Sequence, residues 1–155
     1  MNSKFMRVAI RLSVDMMRCG KGGPFGAVVV QGGKIVGRGC NEVTSSNDPT
    51  AHAEIVAIRD ACQSLKTFDL HGCELYTSCE PCPMCLSAIY WARLKTVYYG
   101  NTRKDAQKIE FDDDLIYEEV ATPISRRKIP MKQLLRLEAL AAFKEWGSKA
   151  DRIRY

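Results

Sequence analysis

Apolar residues recur at helical spacing near the start of the chain, where Phe5, Val8, Ala9, Leu12 and Met16 predict an amphipathic helix from about Ser3 to Cys19. The glycine-rich run at 20–24 ends it. Two strand-like runs follow, FGAVVVQ at 25–31 and KIVGRGC at 34–40, and the pair Gly32-Gly33 between them predicts a β-hairpin. The loop NEVTSSNDPT at 41–50 is rich in turn residues and leads into a helical pattern over 51–65, with Thr50 as its expected N-cap. His52 and Glu54 then fall in that helix's first turn. CELYTS at 73–78 reads as a short strand, and PCPMCLSAIYWARL at 81–94 as a helix whose prolines sit where a helix start tolerates them. TVYYG at 96–100 is a fourth strand. Strands alternating with helices predict a layered α/β fold rather than a bundle.

Beyond Gly100 the pattern weakens. A polar stretch and FDDDLIYEEV at 111–120 precede Ile129 and Met131, whose alternation about Pro130 predicts an edge strand. Leu137 to Trp146 is the last expected helix.

Composition refines this picture in three ways. A length of 155 residues with 46% hydrophobic content fits one domain with its own core, and no composition shift marks a second. The first twenty residues carry charges throughout, without the apolar run of a signal peptide or membrane helix, so a soluble, cytoplasmic protein without membrane partners is expected. The net charge of +5 is concentrated at the C-terminal end, where residues 126–155 hold nine Lys or Arg against three Asp or Glu. Charges spread in this way are read as a solvated face or a surface for an acidic neighbour, ahead of a grip on nucleic acid.

Seven cysteines, an odd number with no secretory signal before them, argue for reduced thiols and a metal site rather than disulfides. Cys19, Cys40, Cys62 and Cys73 stand singly and are read as small buried hydrophobes. The chemistry concentrates elsewhere. A catalytic zinc ion takes three nitrogen or sulfur ligands and keeps a fourth position open, and His52, Cys82 and Cys85 supply three. The two-residue gap between the cysteines lets both thiolates turn inward at a helix N-terminus, where the helix dipole favours the thiolate. Glu54, two residues after His52, is expected beside a zinc-bound water as its proton carrier rather than as a ligand. The competing reading is a closed structural zinc site using Cys79 or Cys73 as a fourth ligand, but Cys79 precedes Pro81 on the strand side of the turn. The triplet His52-Ala53-Glu54 followed by Pro81-Cys82-Pro83-Met84-Cys85 matches the H-x-E and P-C-x-x-C signature of zinc deaminases.

On these motifs the chain resembles the cytidine deaminase-like superfamily, and within it the bacterial guanine deaminases. The resemblance runs from GGPFGAVVV through SSNDPTAHAE and LYTSCEPCPMCLSAIYWAR to FDD and the terminal tyrosine. It implies a three-layer α/β/α fold with a mixed five-stranded sheet and a single deaminase domain over residues 1–155. It implies a homodimer in which about 129–155 is swapped between subunits. It implies one Zn2+ per subunit on His52, Cys82 and Cys85, with water as fourth ligand, and Cys79 shaping the turn. The activity implied is hydrolytic deamination of guanine to xanthine and ammonia by zinc-activated hydroxide, within purine catabolism or salvage.

The resemblance also implies roles for matching positions. Phe25 stacks on the purine, Asn41 binds a ring edge, and the Ala53 amide stabilises developing charge. Asp113 contacts guanine and moves a proton, Trp91 lies near the pocket or the dimer interface, and Tyr155 closes the partner's pocket. Rival readings are a tRNA wobble adenosine deaminase, a deaminase of guanosine, cytosine or ammeline, and a non-enzymatic zinc module that binds another macromolecule.

Overall fold

The computed structural model describes residues 2–154, in two units that divide after Asp113. In the first, helix α1 (Ser3–Arg18) precedes the hairpin β1 (Gly26–Gln31) and β2 (Lys34–Cys40). A short helix α2 (Val43–Ser46) leads to α3 (Ala53–Leu65), then come β3 (Glu74–Cys79), α4 (Pro83–Trp91), β4 (Thr96–Asn101) and the short α5 (Arg103–Gln107). The sheet order is β2-β1-β3-β4. The first three strands pair antiparallel, and β3 and β4 pair parallel across the α4 crossover.

The alternation of β1 assigns its residues to two faces. Val28 and Val30 join Phe5 and Tyr76 beneath α1, whereas Ala27 and Val29 join Leu75 with Ala53, Ala57 and Ala61 of α3 and Ile89 of α4. Helices therefore cover both sides, and the α/β/α layering expected from sequence is present.

Contact between β2 and α3 is unusually direct. A Cβ at Gly39 would overlap the Ala53 carbonyl oxygen and the Ala57 amide, and one at Gly37 would come within 2.7 Å of the Ala61 amide. Alanines on one side and glycines on the other bring strand and helix backbones together. Gly39→Ala is therefore expected to force α3 off the sheet and cost about 3 kcal/mol, read as a lower midpoint in urea unfolding. Unchanged stability in that variant would contradict the contact.

Two local expectations are corrected. Among the described residues the sheet has four strands, not five, because 129–135 form no ladder. Pro130 has no N–H to offer a neighbour, and an alternation of only two apolar residues does not hold a strand. The N-cap of α3 is His52 rather than Thr50. Asp48 captures both the Thr50 amide and its hydroxyl, at 2.8 and 2.7 Å, in a tight turn ahead of the helix.

The second unit contains α6 (Asp114–Ala121), a single 3-10 turn (Ile124–Arg126) and α7 (Arg136–Ser148). The last helix runs through Gly147, beyond the expected end at Trp146. Polar bonds knit this unit: Arg127 donates to the Thr122 carbonyl at 3.1 Å, and Glu119 accepts from the Lys128 amide at 2.9 Å. None of its described residues is buried in the single chain, and Leu137 and Phe143 are 80% and 77% exposed. No helix among the described residues is long and apolar enough to cross a membrane.

Candidate active site

Two helix N-termini meet on one side of the sheet. His52 is the N-cap of α3 and Cys82 the N-cap of α4, both with extended backbone, and Cys85 lies in the first turn of α4 behind Pro83. Proline at N1 removes a donor that the helix could not have satisfied, so the turn closes without loss. His52 Nδ1 lies 3.5 Å from the Cys82 sulfur and 3.6 Å from that of Cys85. Tetrahedral zinc, with Zn–S near 2.3 Å and Zn–N near 2.05 Å, requires a nitrogen-to-sulfur edge of about 3.6 Å. The three donors fit such an ion, and they gather within 4.8 Å of one another.

Cys82 is pulled down to about 4, first by the hydrogen bond it accepts from Cys85 and then by His52, against the cost of burial. Cys85 is pushed up, by that same bond and by burial. The bond to Cys82 raises His52 as well.

Cys79 behaves otherwise. Burial, with the negative charge of Glu54 behind it, pushes its thiol up to about 11. Its Sγ is turned to the Thr102 carbonyl at 3.7 Å. Glu80 continues the anchorage: its amide donates to the Asn101 carbonyl at 2.8 Å and its carboxylate accepts from the Arg103 amide at 3.0 Å. The turn before Cys82 is thus tied to the end of β4. Neither Cys79 nor Cys73 belongs to the donor cluster, so the closed four-ligand alternative loses its fourth ligand.

Glu54 is buried in the first turn of α3, and burial raises its pKa. Its Oε2 lies 3.4 Å from the Cys85 sulfur, and its Oε1 accepts from the Thr77 hydroxyl at 3.2 Å. Thr77 was not singled out by sequence; a threonine in LYTS reads as an ordinary strand former, and its partner is 23 residues away. Ala53 is the first helical residue, so its amide has no acceptor within the helix.

Asn41 is buried at the end of β2. Its Oδ1 accepts from the Gly23 and Val43 amides at 3.2 and 3.3 Å, so its side-chain carbonyl is committed to the loop backbone. Phe25 meets Phe111 edge to face, with centroids 4.9 Å apart and planes at 86°. Phe111 is a second residue that sequence reading passed over except as the first letter of FDD. Asp113 is half-buried and close enough for its charge to help raise Cys79. Trp91 ends α4, 68% exposed, about 9 Å along the helix axis from Cys85. Tyr155 lies outside the described residues. None of the seven cysteines is in a disulfide; Cys40 and Cys73 are buried as expected, whereas Cys62 is half-buried and Cys19 is exposed.

A histidine and two cysteines at tetrahedral spacing, with a buried carboxylate beside them on two helix N-termini, define a zinc-dependent deaminase. Residues 1–101 match the family described as the cytidine and deoxycytidylate deaminase zinc-binding region. The guanine deaminase of Bacillus subtilis (strain 168) is 50% identical over 151 residues, 97% of either chain. The solved structure of guanine deaminase from Bacillus subtilis aligns with a TM-score of 0.96 at 49% identity, covering 100% of this chain and 99% of that one. A tRNA-specific adenosine deaminase of Buchnera aphidicola subsp. Schizaphis graminum is 39% identical over 110 residues, 71% of this chain and 72% of its own. The chain belongs to the bacterial guanine deaminases, within the cytidine deaminase-like zinc enzymes.

Proposed function

We propose that this protein hydrolyses guanine at C2, so that guanine and water yield xanthine and ammonia. The observation that carries this choice of substrate is the extent of the guanine deaminase match. It spans 97% of the chain and so includes most of the second unit, whereas the tRNA deaminase match spans 71% and the zinc-binding region ends at residue 101.

His52, Cys82 and Cys85 hold one zinc ion, which when bound supplies an acidified water as the nucleophile. Glu54 moves the protons. Its Oε2 takes one from the attacking water, gives it to the ring nitrogen beside C2, and serves the departing amine in turn. A carboxylate whose pKa is raised by burial keeps a proton closer to neutral pH than an exposed one does. The Ala53 amide at the start of α3 donates to charge that develops during attack.

Guanine presents N1–H and 2-amino donors on one edge, and Asp113 is assigned to accept them. Adenine lacks that donor pair. Asn41 donates from its amide nitrogen to an acceptor on the purine, and Phe25, propped by Phe111, lies against the ring face. A homodimer exchanging about 129–155, with Tyr155 and Trp91 at the shared pocket, completes this reading. The uncovered apolar side chains Leu137 and Phe143 support it, because a second copy gives them cover.

The test is ammonia release by the zinc-loaded protein from guanine, guanosine, adenine, cytosine, ammeline and an anticodon stem-loop RNA in parallel. Guanine is expected to exceed all others. Preferential turnover of the RNA adenosine would replace this reading with the tRNA one.

A further inference from the structure

Strand β3 sends one hydroxyl into the apolar layer beneath α3. Thr77 pairs with Ala27 across the β1–β3 ladder and is 1% exposed. Its neighbours on that face are Ala27, Val29 and Leu75, a setting in which valine satisfies strand geometry and packing equally well. A buried hydroxyl is costly unless it is bonded, and this one is bonded to Oε1 of Glu54 at 3.2 Å. An ionised carboxylate only accepts, so Thr77 is the donor. The next residue cannot take over: the Ser78 hydroxyl lies on the opposite face and accepts from the Gly26 amide at 3.0 Å.

We propose that Thr77 is a positioning residue for the deamination, anchoring Oε1 of Glu54 so that Oε2 is the oxygen directed at the His52, Cys82 and Cys85 cluster and at the reacting water. The inference rests on the reading of Glu54 as proton carrier. It divides one carboxylate between two tasks, with one oxygen fixed to the sheet and the other working. In the chain itself Oε2 lies 3.4 Å from the Cys85 sulfur, whose single proton is shared between Oε2 and Cys82. A cysteine that binds a metal does so as thiolate and has no proton left to donate. The Thr77 bond persists, and it then sets the plane of the carboxylate. Proton transfer needs heavy atoms at hydrogen-bond reach, so a carboxylate free to swing within its pocket loses rate rather than substrate affinity.

The test compares Thr77→Val and Thr77→Ser with the zinc-loaded wild type, measuring kcat and KM for guanine, bound zinc, thermal midpoint, and the orientation of Glu54 in crystals. Thr77→Val is expected to lower kcat on the order of tenfold to a hundredfold, as the loss of a hydrogen bond to a charged group implies. KM and zinc content should hold, and the thermal midpoint should fall by only a few degrees, on the order of what one orphaned buried acceptor costs. Thr77→Ser keeps the hydroxyl and should retain most of kcat, while in Thr77→Val crystals the Glu54 carboxylate should be turned. Wild-type kcat and an unmoved carboxylate in Thr77→Val would overturn the proposal, and so would Thr77→Ser being as impaired as Thr77→Val, since the methyl would then be what matters. Should guanine prove not to be the substrate, the proposed function fails, and the carboxylate orientation still decides the anchor.

Discussion

Glu54→Gln is expected to reduce kcat by about 10²–10⁴-fold, the span that a positioned general acid–base contributes. Bound zinc and thermal midpoint should stay near wild type. Glutamine has the size of glutamate, its carbonyl oxygen can still accept from the Thr77 hydroxyl, and it places no charge in a buried site. It has no proton to exchange. Stoichiometric zinc with a normal melt and no ammonia would separate the proton carrier from the scaffold in a single sample. Substantial deamination by this variant would remove Glu54 from the mechanism, and zinc lost along with activity would recast it as support for the metal cluster.

Removing the metal is expected to act on stability and activity together. A ligand present at a thousand times its dissociation constant stabilises the folded chain by about 4 kcal/mol. For a chain of this length that is on the order of 10 °C in thermal midpoint. Chelator treatment should therefore lower the melt by that amount and abolish deamination, and added zinc should restore both. Cys85→Ala should show both losses without rescue, because its sulfur is fully buried within the donor cluster. Cys79→Ala should keep its zinc, because its sulfur lies outside the donor cluster and is turned to the Thr102 carbonyl. The hydrogen bond to Cys82 and burial hold Cys85 as a thiol, so zinc capture releases its proton and affinity should climb as pH rises. Zinc bound equally well by the Cys85→Ala chain would exclude the three-ligand set.

What could be read from sequence was what depends on local spacing. The Gly32-Gly33 hairpin, the helices carrying His52 and Cys85, and the H-x-E and P-C-x-x-C spacings all declare themselves within a few residues. Features that arise from strand neighbours did not. Thr77 meets Glu54 only because β3 lies under the first turn of α3, and Phe111 meets Phe25 from 86 positions along the chain. The expected fifth strand failed for a related reason. Alternation at Ile129 and Met131 describes the side chains, whereas a strand is defined by a partner ladder, to which Pro130 gives no donor. Thr50 was a sound N-cap by residue type, but Asp48 competed for it two residues away.

The bare contact of Gly37 and Gly39 with α3 acts as a mechanical stop. Where side chains separate two elements, the gap can adjust as rotamers change. Here backbone meets backbone, and the height of His52 and Glu54 above the sheet is set by atomic radii alone. Mutations elsewhere in the core can loosen the layers without lowering that floor, which gives the N-terminal end of α3 a fixed datum.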